Sequence, residues 1–271
     1  MFSVPLTTYK RSQDMRRTSK KWLAAGSVLL AAATSQALAV NIGGLEIPLG
    51  TTFTAGQIYT NVPSAVGGEL TGYGKIDSVN SFATGDLCGG CELTYVFDGY
   101  TVSSIDIVDG SVSFDGGSVR VYMGTGATKD FSTQNAGSSV ADDMIEASNG
   151  TLWLTLKGHD IDAAGNTFRS EGENIGTPAF TGHGFGLLDV DTSAGGVANA
   201  SFDSNTVPAL FGGNADFLIG SSFNGLAPPY PDTLRGSMDL TTTAVPEPET
   251  YALMLSALGL IGYVVHRRRR V

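Results

Sequence analysis

The sequence predicts an all-β fold, an antiparallel β-sandwich or jelly roll flanked by an N-terminal signal helix and a C-terminal transmembrane helix. Between residues 40 and 240, Val, Ile, Thr, Phe and Tyr alternate with polar residues in short runs, the pattern of half-buried strands. Asp-Gly and Asn-Gly dipeptides separate several runs and favour tight turns, because glycine accepts positive φ angles. Since few helical patterns lie between the runs, antiparallel pairing is favoured over βαβ units.

The strand-like runs recur through the whole of this region. They cover residues 69–81, 92–108, 110–114, 117–123, 151–157, 183–191, 197–203, 215–223 and 235–243. One short helix is expected from Ala141 to Ala147, because acidic residues stand in its first turn and favour a helix N-terminus.

The segment from Tyr95 to Met123 has the most regular turn punctuation. Each Asp-Gly element in it is a typical turn sequence. We therefore expect four short strands here, connected as an antiparallel meander. The three turns are expected at Asp98-Gly99, Asp109-Gly110 and Asp115-Gly116-Gly117.

The first 39 residues have the three parts of a secretory signal peptide. Six basic residues between positions 10 and 21 precede an apolar run of 12 residues, Trp22 to Ala33. As a helix this run is about 18 Å long, too short for a hydrocarbon core of about 30 Å. Ala37-Leu38-Ala39 then offers small residues for a cut after Ala39. We expect signal peptidase to remove residues 1–39; the long basic region leaves a signal anchor as the alternative.

The exported part is strongly acidic. Residues 40–245 contain 23 acidic and 6 basic residues, a net charge near −17. Such a field repels nucleic acid and anionic lipid and attracts cations, so a nucleic-acid-binding function is excluded. A solvated acidic surface that keeps an exported protein soluble is the simplest interpretation.

The two cysteines, Cys88 and Cys91, enclose a Gly-Gly pair. A redox pair normally stands at the start of a helix, whereas an alternating strand-like run from Glu92 follows here. Zinc requires two further ligands, and within the exported part only the distant His159 and His183 are histidines. A structural disulfide across a turn is therefore favoured in an oxidising compartment.

One loop has a partial calcium-binding pattern. Asp160, Asp162, Gly165 and Glu171 stand at positions 1, 3, 6 and 12 of the pattern D-x-[DN]-x-[DN]-G-x5-E. Ala164 supplies no oxygen ligand at position 5, and no flanking helices are evident. The sequence thus offers Asp160, Asp162 and Glu171 as candidate calcium ligands, with weak or absent binding favoured.

Catalytic motifs are not evident in the exported part. It contains no Gly-x-Ser-x-Gly, and His159 and His183 are expected to be exposed turn residues. We therefore expect no enzymatic activity. A carbohydrate-binding module is an alternative if aromatic rings line one sheet face, and a secreted hydrolase using two carboxylates is a further one. The candidate rings are Tyr73, Tyr95, Tyr100 and Tyr122, for which core packing is the competing interpretation.

The C-terminus has a three-part organisation. Residues 241–250 are a linker containing Val245-Pro246-Glu247-Pro248, in which the prolines favour extended backbone. An apolar run from Tyr251 to Val265 follows, and then His266 and four arginines. The basic cluster is expected to stay on the cytoplasmic side, so residues 251–271 are predicted to be a transmembrane helix with a basic tail.

This arrangement resembles the PEP-CTERM sorting signal. The resemblance implies recognition by an exosortase, a membrane enzyme that cuts near the Pro-Glu-Pro element. It also implies an inner-membrane intermediate, delivery to the cell surface or the extracellular space, and an association with exopolysaccharide and biofilm. The residues that carry the resemblance are Val245, Pro246, Glu247, Pro248, Arg267, Arg268, Arg269 and Arg270.

Overall fold

The computed structural model describes residues 39–48, 51–132, 139–175, 177, 179–227, 230–242, 255–261, 263 and 266. Within these ranges the chain is mostly β-strand, with few helices, and most strands join one large antiparallel sheet. The predicted all-β antiparallel class is confirmed. The strands are β1 (Ala39–Ile42), β2 (Leu45–Pro48), β3 (Thr51–Thr60), β4 (Glu69–Ile76), β5 (Ser78–Val79), β6 (Phe82–Ala83), β7 (Glu92–Asp106), β8 (Ser111–Gly124), β9 (Thr151–His159), β10 (Asn166–Glu173), β11 (Thr181–Val190), β12 (Phe217–Ala227) and β13 (Tyr230–Thr242). The helices are α1 (Val140–Ser148) and α2 (Asn199–Phe202), with 3-10 turns at Thr84–Leu87 and Gly126–Thr128.

The large sheet is a meander that closes on itself. Around the sheet, the long strands pair in chain order from β3 to β13, all antiparallel. The last strand, β13, then pairs with the first, β3, through registers such as Leu240 with Phe53. Closure leaves the long strands without a free edge and gives the sheet an enclosed interior. We call the end where Thr51 pairs with Thr242 the tail end, and the end where Thr60 pairs with Leu234 the far end.

Strands β9 and β10 together occupy one strand position between β8 and β11. Leu187 of β11 pairs with His159 of β9, and the preceding residue, Gly186, pairs with Phe168 of β10. On the other side, β8 also pairs with both strands, in the same direction. Residues 160–165 are therefore an excursion from an otherwise continuous strand position.

The meander between residues 95 and 123 has two long strands rather than four short ones. Only Asp109-Gly110 of the three expected turns forms a chain reversal, between β7 and β8. Asp98-Gly99 and Asp115-Gly116-Gly117 lie inside these strands and face each other across the ladder, since Tyr100 pairs with Gly116. Gly99, Gly116 and Gly117 all have positive φ, at 73°, 69° and 95°. The sequence signal for positive φ was correct, but it marks facing irregularities within the strands rather than turns.

The other helices and strands can be compared one by one with the predictions from the sequence. The expected helix is confirmed as α1, whose N-cap Ser139 forms a capping box with Asp142. The expected strand at 197–203 is wrong, because that segment contains α2. Strands β1, β2, β3, β6 and β10 were not anticipated, and the sequence of β10 was interpreted as part of the calcium-like loop.

Aromatic residues fill the interior near the tail end. Trp153 and Phe202 are both fully buried, with ring centroids 5.6 Å apart in an edge-to-face arrangement. Trp153 also donates its indole N–H to the carbonyl oxygen of Ile42, 3.2 Å away, in β1. The β1–β2 hairpin buries Ile42, Leu45 and Ile47 and joins the same core.

A smaller cluster lies between the sheet and α1. Tyr59 and Tyr73 stack with centroids 5.4 Å apart, and both are buried. The hydroxyl of Tyr73 donates to the buried carboxylate of Asp143 in α1, at 3.0 Å. Thr94 donates to the carbonyl oxygen of Ala147 at the end of the same helix. These contacts fix α1 on the sheet.

Candidate functional site

The folded domain is held in place up to the last residue of β13. Thr242 pairs with Thr51 on one side and with Phe217 on the other. Its side chain is buried and donates a hydrogen bond of 2.8 Å to the carbonyl oxygen of Asp216. The chain therefore leaves the sheet at a fixed point, immediately before the predicted Pro-Glu-Pro linker.

The tail that follows is described only in part. Residues 255–261, 263 and 266 are helical. Their apolar side chains are exposed, with Leu255 67 % and Tyr263 63 % accessible. Exposed apolar surface of this kind is unfavourable in water and is stabilised by an apolar environment. Within the described residues, no helix reaches the length and apolarity that crossing a membrane requires. The predicted sorting residues 245–248 and 267–270 lie outside the described residues.

The fold and the tail together define an all-β protein with a C-terminal sorting signal. Residues 244–270 match the family model of the PEP-CTERM protein-sorting motif, so the chain carries this motif, as predicted. The motif implies a membrane-associated sorting step by an exosortase. Searches of curated proteins and of solved structures gave no significant match.

The predicted cysteine pair is joined in the structure. Cys88 and Cys91 form a disulfide, with Cα atoms 5.6 Å apart, between the 3-10 turn Thr84–Leu87 and the start of β7. The backbone N–H of Gly90 donates to the carbonyl oxygen of Gly85, which closes the same turn. The bridge thus lies in the long β4–β7 connection at the tail end.

The three candidate calcium ligands are not brought together as a calcium loop. Asp162 accepts hydrogen bonds from the N–H groups of Ala164 and Asn166 and from the side-chain amide of Asn166. The side-chain bond to Asn166 is the main reason that the pKa of Asp162 is lowered. Glu171 lies within β10, where its carboxylate pairs with Arg169 at 3.0 Å, and Asp160 is exposed. Across the described residues, no group of three or more metal-ligating side chains is positioned to hold an ion.

The four candidate tyrosines do not form an exposed sugar-stacking surface. Tyr73, Tyr95 and Tyr100 are at most 3 % accessible, and Tyr122 is half-buried against the cluster under α1. Tyr95 and Tyr100 belong to the interior core, whereas Tyr73 lies on the outer side of the sheet. Core packing, the competing interpretation, is therefore correct for these rings.

The expected exposure of His159 is wrong, and its side chain lies in a buried polar site. His159 ends β9 and is 5 % accessible. Its Nδ1 lies 2.9 Å from a carboxylate oxygen of Asp189, and its Nε2 lies 2.8 Å from the carbonyl oxygen of Phe211. Burial of the ring disfavours its charged form, but the hydrogen bonds to Asp189 and Phe211 outweigh this and raise the pKa of His159. When protonated, the ring can donate from both nitrogens to these two acceptors, whereas a neutral ring can donate from only one.

This histidine anchors the long β11–β12 connection at the tail end. The tip of the connection exposes Leu210 and Phe211, at 91 % and 36 %. Asp216 fixes the two ends of this connection through its carboxylate. One carboxylate oxygen accepts hydrogen bonds from the backbone N–H groups of Ser204 and Asn205, and the other accepts one from the backbone N–H of Val190. Sequence reasoning missed this site because its members lie far apart in sequence and match no motif. The one available signal was a histidine at the end of a strand-like run.

Proposed function

We propose that this chain is an exported cell-surface or extracellular-matrix protein, sorted and processed by an exosortase and associated with exopolysaccharide. Signal peptidase removes the N-terminal segment, and the C-terminal tail holds the protein briefly in the inner membrane. The observation that carries the proposal is the PEP-CTERM protein-sorting motif at residues 244–270.

The way the domain ends supports processing next to it. Because β13 is paired on both sides up to Thr242, a cut near residues 245–248 removes no strand of the sheet. The released product is then a complete acidic β-domain, with a composition suited to a soluble, extracellular existence.

A structural rather than catalytic role fits the polar groups of the domain. The ring nitrogens of His159 are both engaged, and His183 lies exposed on β11 with its Nε2 3.8 Å from Glu171. The proposal therefore assigns the domain no reaction. Because three of the candidate tyrosines are buried and Tyr122 is half-buried, these rings do not favour the carbohydrate-binding alternative over this assignment.

Replacing Pro246-Glu247-Pro248 by alanines tests the sorting step. The variant is expected to accumulate uncleaved in the inner-membrane fraction, detected by immunoblot against the β-domain, while the parent chain matures. Replacing Pro228 and Pro229, which lie between β12 and β13, by alanines is the matched control and should leave maturation unchanged. Normal maturation of the first variant would contradict the exosortase assignment. Co-sedimentation of the released domain with purified exopolysaccharide tests the association separately.

A further inference from the structure

The interior of the closed sheet contains two adjoining apolar cavities toward the far end. The outer one has a volume of about 40 Å³ and reaches the surface beside Val62, Pro63 and Ile175, which are partly accessible. The inner one, of about 20 Å³, is lined almost entirely by buried side chains, among them Val119 and Tyr100. Eight strand positions enclose an interior of the size that side chains fill or that one small ligand occupies.

The two cavities are neighbours with common walls. Leu70, Phe168 and Phe223 line both of them. All three side chains are buried and apolar, so the wall that the two cavities share is non-polar, whereas Thr60, Asn61 and Ser170 also line the outer cavity. Small apolar voids of this kind stay empty of water unless polar groups line them, and they accept apolar guests.

One polar group in this apolar setting has no partner. The hydroxyl of Tyr100 is buried, and it makes no hydrogen bond within the described part of the chain. Its ring is held by edge contacts with Phe97 and Phe168, at centroid distances of 6.4 and 5.9 Å. Tyr100 and Ser221 both line the inner cavity, and the hydroxyl of Ser221 already donates to the carbonyl oxygen of Gly184. A buried hydroxyl without a partner is unfavourable, and so it favours any guest that brings an acceptor.

We propose that these cavities bind a small aliphatic molecule with one terminal oxygen, such as a short-chain primary alcohol or aldehyde. The oxygen accepts the hydrogen bond of Tyr100 in the inner cavity, and the alkyl chain extends through the outer cavity toward the far end. The combined volume of the two cavities, about 60 Å³, suits a guest of about five non-hydrogen atoms, one of them the oxygen. This binding site is independent of the sorting motif and lies at the opposite end of the sheet.

A series of straight-chain 1-alkanols, from ethanol to octanol, measures the fit. Binding is followed by amide chemical shifts of the full chain in detergent micelles, a medium kept identical for every variant. Shifts should saturate and concentrate at Leu70, Val119 and Ser221. Affinity should rise about fourfold with each added methylene until about four carbons, and then level off as the chain emerges into solvent. Shifts that are linear, or that spread over the surface, would overturn the proposal.

Two substitutions separate a ligand site from a site that only holds water. Tyr100→Phe keeps the ring and removes the hydroxyl, so it should weaken 1-butanol at least fivefold and leave 1-chlorobutane, which lacks the hydroxyl, unchanged. Val119→Leu adds one methyl-sized group to the inner cavity and should abolish saturable binding of both. If Tyr100→Phe changes neither molecule, or changes both equally, the assigned hydrogen bond is wrong. If neither molecule binds the parent chain, the cavities are not a ligand site and the proposal is overturned.

Discussion

The ring of Tyr100 lies directly over the α-carbon of Gly117 on the neighbouring strand. A β-carbon at Gly117 would overlap three atoms of that ring. Gly117 also has a φ of 95°, so it serves both the backbone geometry and the packing. Gly72 and Gly184 stand in the same relation to the rings of Phe97 and Phe168. Glycines in the strands thus make room for large interior rings, which is how a glycine-rich sequence fills a closed sheet.

Gly117→Ala is therefore expected to destabilise the domain more than the same substitution at a glycine with an equally positive φ. Gly213 is the matched control, because its φ is 94° and a β-carbon there meets nothing within 4 Å. Gly213→Ala should cost about 1–2 kcal/mol from backbone strain alone. Gly117→Ala adds overpacking against Tyr100, so its cost should exceed the control by about 1–3 kcal/mol. Equal urea midpoints for the two variants would show that the ring contact has no energetic role.

The glycines also show what the sequence could and could not predict. Alternating β-type runs and Asp-Gly pairs were enough for the all-β antiparallel class, because each of those signals is local. Whether Asp98-Gly99 reverses the chain or stays inside a strand depends on the residues opposite it, Gly116 to Ser118, and such pairing is not local. The closure between β3 and β13 is likewise a contact between the two ends of the domain, which periodicity cannot reveal.

The bonds of His159 predict a pH-dependent anchor for the β11–β12 connection. Its pKa is higher in the folded chain than the ordinary value of 6.5, so folding favours the protonated ring. The contribution is fully present below about pH 6.5 and is lost as the pH rises through the folded pKa. Once deprotonated, the ring can donate to only one of Asp189 and Phe211.

Hydrogen exchange at two pH values measures this anchor. After correction for the intrinsic exchange rate, the protection of amides 211–214 should fall severalfold between pH 6 and pH 9. His159→Gln should remove this pH dependence, whereas His183→Gln, at an exposed histidine, should retain it. Unchanged protection of the parent chain across this range would contradict the doubly bonded imidazolium.

Loss of the Cys88–Cys91 disulfide is expected to have a moderate effect on stability. The bridge closes a loop with a sequence separation of 3. In the chain-entropy model such a short loop contributes about 2 kcal/mol. The double variant Cys88→Ser, Cys91→Ser should therefore lower the Tm by about 4–8 °C without loss of the fold, and reduction of the parent chain should give the same shift. A drop well beyond that range would indicate that the β4–β7 connection depends on the bridge for more than loop entropy.

The sites differed in how well they could be predicted from the sequence. The sorting motif was predictable because its three parts are contiguous and ordered, and the cysteine pair because only two residues, Gly89 and Gly90, lie between Cys88 and Cys91. In the calcium-like pattern, Glu171 belongs to a strand, so its spacing from Asp160 is not a loop spacing. The His159 site and the Tyr100 cavity arise from residues that only strand pairing brings together.

Closure of the sheet by β13 gives a sharp prediction about where the chain can be shortened. A chain that ends after Thr242 keeps every described strand and should unfold at the same temperature as the full chain. A chain that ends after Gly236 loses Met238 and Leu240, which are 3 % and 1 % accessible, together with the pairing to residues 51–55. Each lost core side chain costs about 2–5 kcal/mol, and the two together approach the whole stability of a typical domain. Circular dichroism during heating should show a cooperative transition for the first chain and none for the second. A cooperative transition of the shorter chain at the parent temperature would mean that β13 is dispensable and that the sheet does not depend on closure.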